Sequence, residues 1–145
     1  MSAGDEVRNL LGEYCERIDA GDFTGVGELF EHGALADATG RELARGTVAV
    51  TKFYEAGTLL HDGAPRTKHL VTNIVLDIDE DRGLATARSS YLVLQQVGTG
   101  PLQPIITGRY HDSFERREGR WRFAERRFFV DLAGDLRAHL AYEIG

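Results

Sequence analysis

The second half of the chain holds four long segments of strand character, joined by turns of only four or five residues. The segments run from Arg66 through Val75 towards Asp79, from Leu84 to Gln96, from Ile105 to Arg116 and from Trp121 to about Leu132. Between them lie Asp79-Glu80-Asp81-Arg82-Gly83, Gly98-Thr99-Gly100-Pro101 and Arg117-Glu118-Gly119-Arg120, all polar and glycine-bearing. Turns this short join antiparallel neighbours, so the pattern predicts a meander of long antiparallel strands.

Helical periodicity precedes the meander. From about Asp5 to Ala20, Val7, Leu11, Tyr14, Cys15 and Ile18 fall on one face, and Gly21 is a natural stop. Asp19 lies at the rim of that face. Asp22 can cap a second, short helix ending near Phe30. Ala34 to Thr39 reads as a short strand, and Gly46 to Leu60 as a third helix with Val48, Phe53 and Tyr54 among its apolar positions. A polar loop, His61 to Pro65, leads into the meander, and a frayed tail with a short helical stretch at Asp135 to Tyr142 closes the chain. Helices first and strands after predict an α+β fold. Three N-terminal helices pack on a curved, mostly antiparallel sheet, a cone-shaped barrel with an apolar interior, with residues 1–145 as one domain.

Bulk properties narrow the function classes. The 145 residues suffice to bury a real core, and 42% hydrophobic with 28% charged residues is ordinary globular composition. A net charge of −6 argues against nucleic-acid and anionic-membrane partners. Cys15 is the only cysteine, which suits a reducing cytoplasm. The acidic N-terminus lacks the apolar stretch of a signal peptide, and no apolar run approaches the ~20 residues of a membrane span. No zinc spacing, phosphate loop or Rossmann glycine pattern is present, so no metal or cofactor is expected.

The strand from Arg66 alternates so that His69, Val71, Asn73 and Val75 share one face. An imidazole and a carboxamide among branched apolar residues suit an apolar cavity wall with a few fixed polar groups. The layer arrangement brings the first helix over that wall, with Tyr14, Asp19 and His69 within reach of one another. An Asp behind a His fixes the tautomer and stabilises the imidazolium formed when Nε2 takes a proton. Such a pair suits proton abstraction next to a carbonyl, with Tyr14 donating to the developing oxyanion. The residues alone leave open a solvated Asp19 and a Tyr14 used only for packing. His32, His61, His111 and His139 have no ligand spacing and read as surface or loop residues.

Three segments carry a family resemblance: Tyr14-Cys15-Glu16-Arg17-Ile18-Asp19-Ala20-Gly21-Asp22-Phe23 continuing to Leu29-Phe30, Thr67 to Asn73, and Gly108 to Phe123. With them the chain resembles the SnoaL-like branch of the nuclear-transport-factor-2-like superfamily, over nearly its whole length. Scytalone dehydratase, hexachlorocyclohexane dehydrochlorinase and bile-acid 7α-dehydratase in that branch share an Asp–His pair, and Asp19 and His69 match it by local motif. The bile-acid enzyme also has a tyrosine where Tyr14 stands. The resemblance implies a lyase or dehydratase: His69 removes a proton, Asp19 supports it and Tyr14 assists. The substrate class it implies is a small apolar carbonyl compound such as a polyketide, steroid or aromatic metabolite, with no cofactor. The arginine of the bile-acid enzyme aligns with Val130, a departure that Arg126 can offset from the same strand face. Arg127 has the opposite parity, and a bulge would exchange the two.

Asn73, Tyr110 and Arg126 are further candidate pocket residues. A competing resemblance, to ketosteroid isomerases, implies isomerase or cyclase chemistry with Asp37 as base and Tyr14 and Asp112 as oxyanion donors, leaving His69 unused. A third reading is a small-ligand-binding domain or structural subunit without catalysis. Leu92, Leu94, Phe128 and Val130 alternate with Tyr91, Val93 and Phe129, so both sheet faces need covering, which predicts a homodimer or homotrimer.

Overall fold

A computed structural model describes residues 1–143. Its helices are α1 (Ala3–Asp19), α2 (Phe23–Leu29) and α3 (Gly46–Gly57). The strands are β1 (Ala34–Ala36), β2 (Glu42–Arg45), β3 (Thr67–Asp79), β4 (Leu84–Gln95), β5 (Gln103–Arg117) and β6 (Arg120–Ala133). They form one curved sheet in the order β2-β1-β6-β5-β4-β3, antiparallel except where β1 runs parallel to β6. The sheet does not close: β2 and β3 are its edges. This is the expected α+β arrangement of three helices on a mostly antiparallel sheet. Among the described residues no helix is long and apolar enough to cross a membrane.

Local chemistry explains the helical layer. Ser2 caps α1 by accepting the Asp5 N–H at 3.1 Å, and Val7, Leu11, Tyr14, Cys15 and Ile18 are buried along its apolar face. Gly21, at φ 73°, reverses the chain after α1. Asp22 then caps α2 through the Gly25 N–H at 2.9 Å, and Arg17 donates to the Gly25 carbonyl at 2.7 Å. The first helices are thereby locked at a fixed angle before the sheet is met.

Beyond α2 the structure departs from the single strand expected over Ala34–Thr39. The Asp37 carboxylate accepts the backbone N–H groups of Thr39 and Arg41, closing a turn that sends the chain back as β2. The third helix stops at Gly57 rather than Leu60, because Thr58 is extended and bridges to Leu140.

Two bulges set which side chains face the helices. In β3 the register to β4 shifts between Thr72 and Val75, with Asn73 at φ 53°. Inward positions therefore run His69, Val71 and then Ile74, Leu76 and Ile78, while Asn73 is exposed. This corrects the expected pocket role of Asn73: unbroken alternation put it beside His69, and the extra residue turns it to solvent. The β5–β6 register shifts between Ser113 and Phe114, which lets Trp121 and Phe123 as well as Arg126 point inward on β6. Arg127, more exposed, pairs instead with Glu125 at 3.2 Å.

The tail also differs from expectation. Residues 134–143 contain one hydrogen-bonded turn rather than a helical stretch, and they are tied down, not frayed. Leu59 N–H donates to the His139 carbonyl at 2.8 Å and Ala141 N–H to the Gly57 carbonyl at 3.0 Å. Both His61 Nε2–H, at 2.7 Å, and Gln95 Nε2, at 3.1 Å, donate to the Ala138 carbonyl.

Under the sheet–helix interface lies a fully buried ion pair. Arg126 Nε and Nη2 donate to the two Asp112 carboxylate oxygens at 2.8 and 3.0 Å, and neither side chain is exposed. The guanidinium is stacked over the rings of Tyr110 at 3.6 Å and Tyr14 at 4.2 Å. Removing one partner would strand the other charge in the core. Arg126→Met is expected to cost about 3–5 kcal/mol in urea unfolding, and Asp112→Leu combined with Arg126→Met to recover most of that loss.

Candidate active site

Between α1, α3, the inner sheet face and the C-terminal turn lies a cavity of about 540 Å³. Its wall is mainly apolar: Leu43, Phe53, Val93, Ile106, Phe128, Val130 and Leu140. The polar groups on it are the side chains of Tyr14, Asp37, Thr39, Tyr54, His69, Tyr91, Tyr110, His139 and Tyr142. A volume and lining of this kind suit a small, weakly polar organic ligand.

Asp19 and His69 are in direct contact. Asp19 Oδ1 lies 2.6 Å from His69 Nδ1 and accepts Thr67 Oγ1–H at 2.9 Å, while Oδ2 accepts the His69 backbone N–H at 2.8 Å. An ionised carboxylate has only lone pairs to offer, so Nδ1 carries a proton, and in the neutral ring that tautomer leaves the lone pair on Nε2. The His69 and Asp19 side chains are only 8% and 16% exposed, and His69, not Asp19, lines the cavity. Burial alone would raise the Asp19 carboxyl, but the hydrogen bonds and charge of His69, with Thr67, hold it below its ordinary value.

Tyr14 enters the cavity from α1, with its hydroxyl hydrogen-bonded to that of Tyr54 on α3. Burial pushes the Tyr14 phenol up to about 12 and the Tyr54 and Tyr110 phenols well above their usual range. All three are uncharged at neutral pH, and each keeps its hydroxyl proton. Tyr110 stacks on Tyr91 with centroids 4.5 Å apart and meets Tyr14 edge-on at 6.0 Å.

Several expected site residues stand elsewhere. Arg126 and Asp112 lie behind the tyrosines and do not line the cavity. Burial pushes the Asp112 carboxyl up while Arg126 pulls it back, and both its oxygens are taken by the guanidinium. It therefore has no free group to present as an oxyanion donor. Asp37 reaches the cavity rim, but its carboxylate is occupied by Thr39 and Arg41, with Thr39 chiefly holding its pKa low. A carboxylate so held is a weak base. Asp112 is thus engaged on both oxygens by Arg126, whereas Asp37 is hydrogen-bonded through Oδ1 and keeps Oδ2 3.6 Å from Arg41 Nε.

Two residues that line the cavity are not among the sequence candidates. Tyr54 was read only as an apolar position of α3, although its place four residues after the buried Val50 marks it as inward-facing. His139, expected at the surface, is 7% exposed and lines the cavity. Nothing in the local sequence could have found it, because its position depends on where the tail returns. Among the described residues no group of three or more His, Cys, Asp or Glu side chains is arranged to hold a metal ion.

The profile of the SnoaL-like domain family matches residues 1–127. No curated protein matches the sequence. Among solved structures, a Mycobacterium tuberculosis protein of unknown function is similar at 27% identity and a TM-score of 0.70, covering 87% of this chain and 70% of that one. An NTF2-like protein with a cystatin-like fold from Novosphingobium aromaticivorans is 20% identical with a TM-score of 0.71, over 88% of this chain and 80% of its own. A candidate scytalone dehydratase from the same organism is 20% identical with a TM-score of 0.73, over 98% and 89%. At 20% identity the last two likenesses are of fold.

The depressed Asp19 carboxyl ties stability to pH. Its folded-state pKa is lowered, so its contribution is fully present above the unfolded value near 3.8 and lost as pH falls through the lower native value. Asp19→Asn is expected to lower unfolding free energy by about 2 kcal/mol at pH 7. In urea unfolding, the gap between variant and wild type should close as pH falls below the ordinary value of 3.8 and through the lower native one.

Proposed function

The chain belongs to the SnoaL-like domain family, and on that footing we propose that it is a lyase of the dehydratase type. It acts without a cofactor on a small, largely apolar carbonyl compound, of the size of a polyketide, steroid or aromatic metabolite. The observation that carries the reading is the 2.6 Å contact between Asp19 and the inner nitrogen of His69, with the His69 ring on the wall of an apolar cavity.

In the proposed reaction His69 Nε2 takes the proton from the carbon next to the carbonyl. Asp19, already hydrogen-bonded to Nδ1–H, stabilises the imidazolium that results. Tyr14 donates to the oxygen on which negative charge grows, in a site where few dipoles compete. The carbon–carbon double bond forms as the β substituent departs with its bonding pair, and the imidazolium returns the proton to that group. The apolar wall excludes water that would otherwise level the base.

A second copy of the chain is proposed to cover the outer sheet face. Leu70, Leu92, Thr107 and Leu132 form one cross-strand row there, with Leu70 38% and Leu132 71% exposed. A two-fold axis would let the row meet its own counterpart. Sedimentation at micromolar concentration is expected to give a dimer, and Leu132→Glu a monomer; a monomeric wild type refutes the pairing.

The dyad is tested by deuterium exchange at the acidic carbon of small aryl ketones in D2O, read by NMR. His69→Ala is expected to slow exchange at least about 100-fold. Asp37→Ala should stay within about threefold of wild type, the effect of losing a rim turn rather than a base. Equal rates for His69→Ala and wild type would sink the base assignment, and loss only in Asp37→Ala would restore the isomerase alternative.

A further inference from the structure

His139 has no part in the proton transfer, yet it shares the cavity. Its ring meets that of His69 edge-on, with centroids 6.0 Å apart and planes at 65°. Its Nδ1 is sealed from solvent without a hydrogen-bond partner. The turn that carries it is held by backbone carbonyls: His139 accepts from Leu59, and Ala138 from His61 and Gln95. The imidazole is therefore not needed to anchor its own segment.

With Nδ1 sealed, Nε2 is the ring nitrogen left to serve the cavity that His139 lines. A sealed N–H is costlier than a sealed lone pair, which favours the tautomer with its proton on Nε2. Burial, reinforced by His69, pushes the ring's pKa down to about 4. At neutral pH it is an uncharged imidazole, able to donate one hydrogen bond and unsuited to carry a charge.

We infer that His139 contacts the ligand directly, donating a hydrogen bond from Nε2–H to a carbonyl or hydroxyl oxygen held on the His69 side of the cavity. Together with the Tyr14 hydroxyl, whose proton is free for the ligand when Tyr54 donates to Tyr14, it makes the cavity selective for an apolar body bearing an oxygen acceptor. The inference rests on this cavity being the ligand site, but not on His69 acting as a base.

The test is equilibrium binding of 2-acetylnaphthalene and 2-ethylnaphthalene, matched in size and differing in the ketone oxygen, measured by calorimetry on the full chain. Wild type is expected to prefer the ketone. His139→Leu should weaken the ketone about fivefold, the worth of one neutral hydrogen bond, and leave the hydrocarbon unchanged. His139→Gln, which keeps an N–H donor, should recover most of the preference. An unchanged ketone affinity in His139→Leu overturns the inference, and so does equal weakening of both ligands, which would make the ring a structural strut. Failure of the wild type to bind the ketone saturably overturns it too. Because no turnover enters the measurement, an inactive dyad leaves this readout intact, and the two failures are told apart.

Discussion

One carboxylate holds the helical layer to the far edge of the sheet. Asp19 ends α1, and its two oxygens accept three hydrogen bonds from β3: the Thr67 hydroxyl, the His69 backbone and the His69 ring. β3 is an edge strand, paired to β4 on one side only and packed on the core through Val71, Ile74, Leu76 and Ile78. Asp19 adds the polar tie between it and the end of α1. The same oxygens that orient the imidazole also stop the edge from peeling away. Structure and proposed chemistry thus draw on one half-buried group, which stands behind the cavity wall and orients the ring that lines it.

Charge is handled differently on the opposite wall. Arg126 brings a full positive charge into the core, offset by Asp112 and spread under the Tyr14 and Tyr110 rings. The cation sits behind aromatic faces instead of in the cavity, so the floor presents neutral phenols. Each phenol is kept protonated chiefly by burial. A ligand there would meet phenol hydroxyls and the His69 ring, with the Asp37 carboxylate at the rim.

Much of this was readable from the chain. The helix face through Tyr14, Cys15 and Ile18, the Asp22 cap and the strand order of the meander follow from spacing alone. The Asp19–His69 contact was legible because both residues sit at local motifs on elements that had to pack together. What escaped depends on single-residue irregularities and on long-range return of the chain. Asn73 turns outward because of a bulge, which period-two counting cannot see. Asp112, an oxyanion donor only by the isomerase resemblance, is engaged by a partner fourteen positions away. The β2 strand hid in a polar stretch, and His139 in a tail whose course is set by Leu59, His61 and Gln95.

The β3 bulge has a consequence for how such a chain can diversify. It divides the strand into two separately phased halves, one bearing His69 and Val71, the other Ile74, Leu76 and Ile78. The distal hairpin can be lengthened, shortened or re-surfaced on its own side of the phase break. The imidazole keeps its heading through such changes. The inward side chains of the distal half stay tied to the core, so the freedom lies in its outward positions and the turn, on the far side of the phase break from His69.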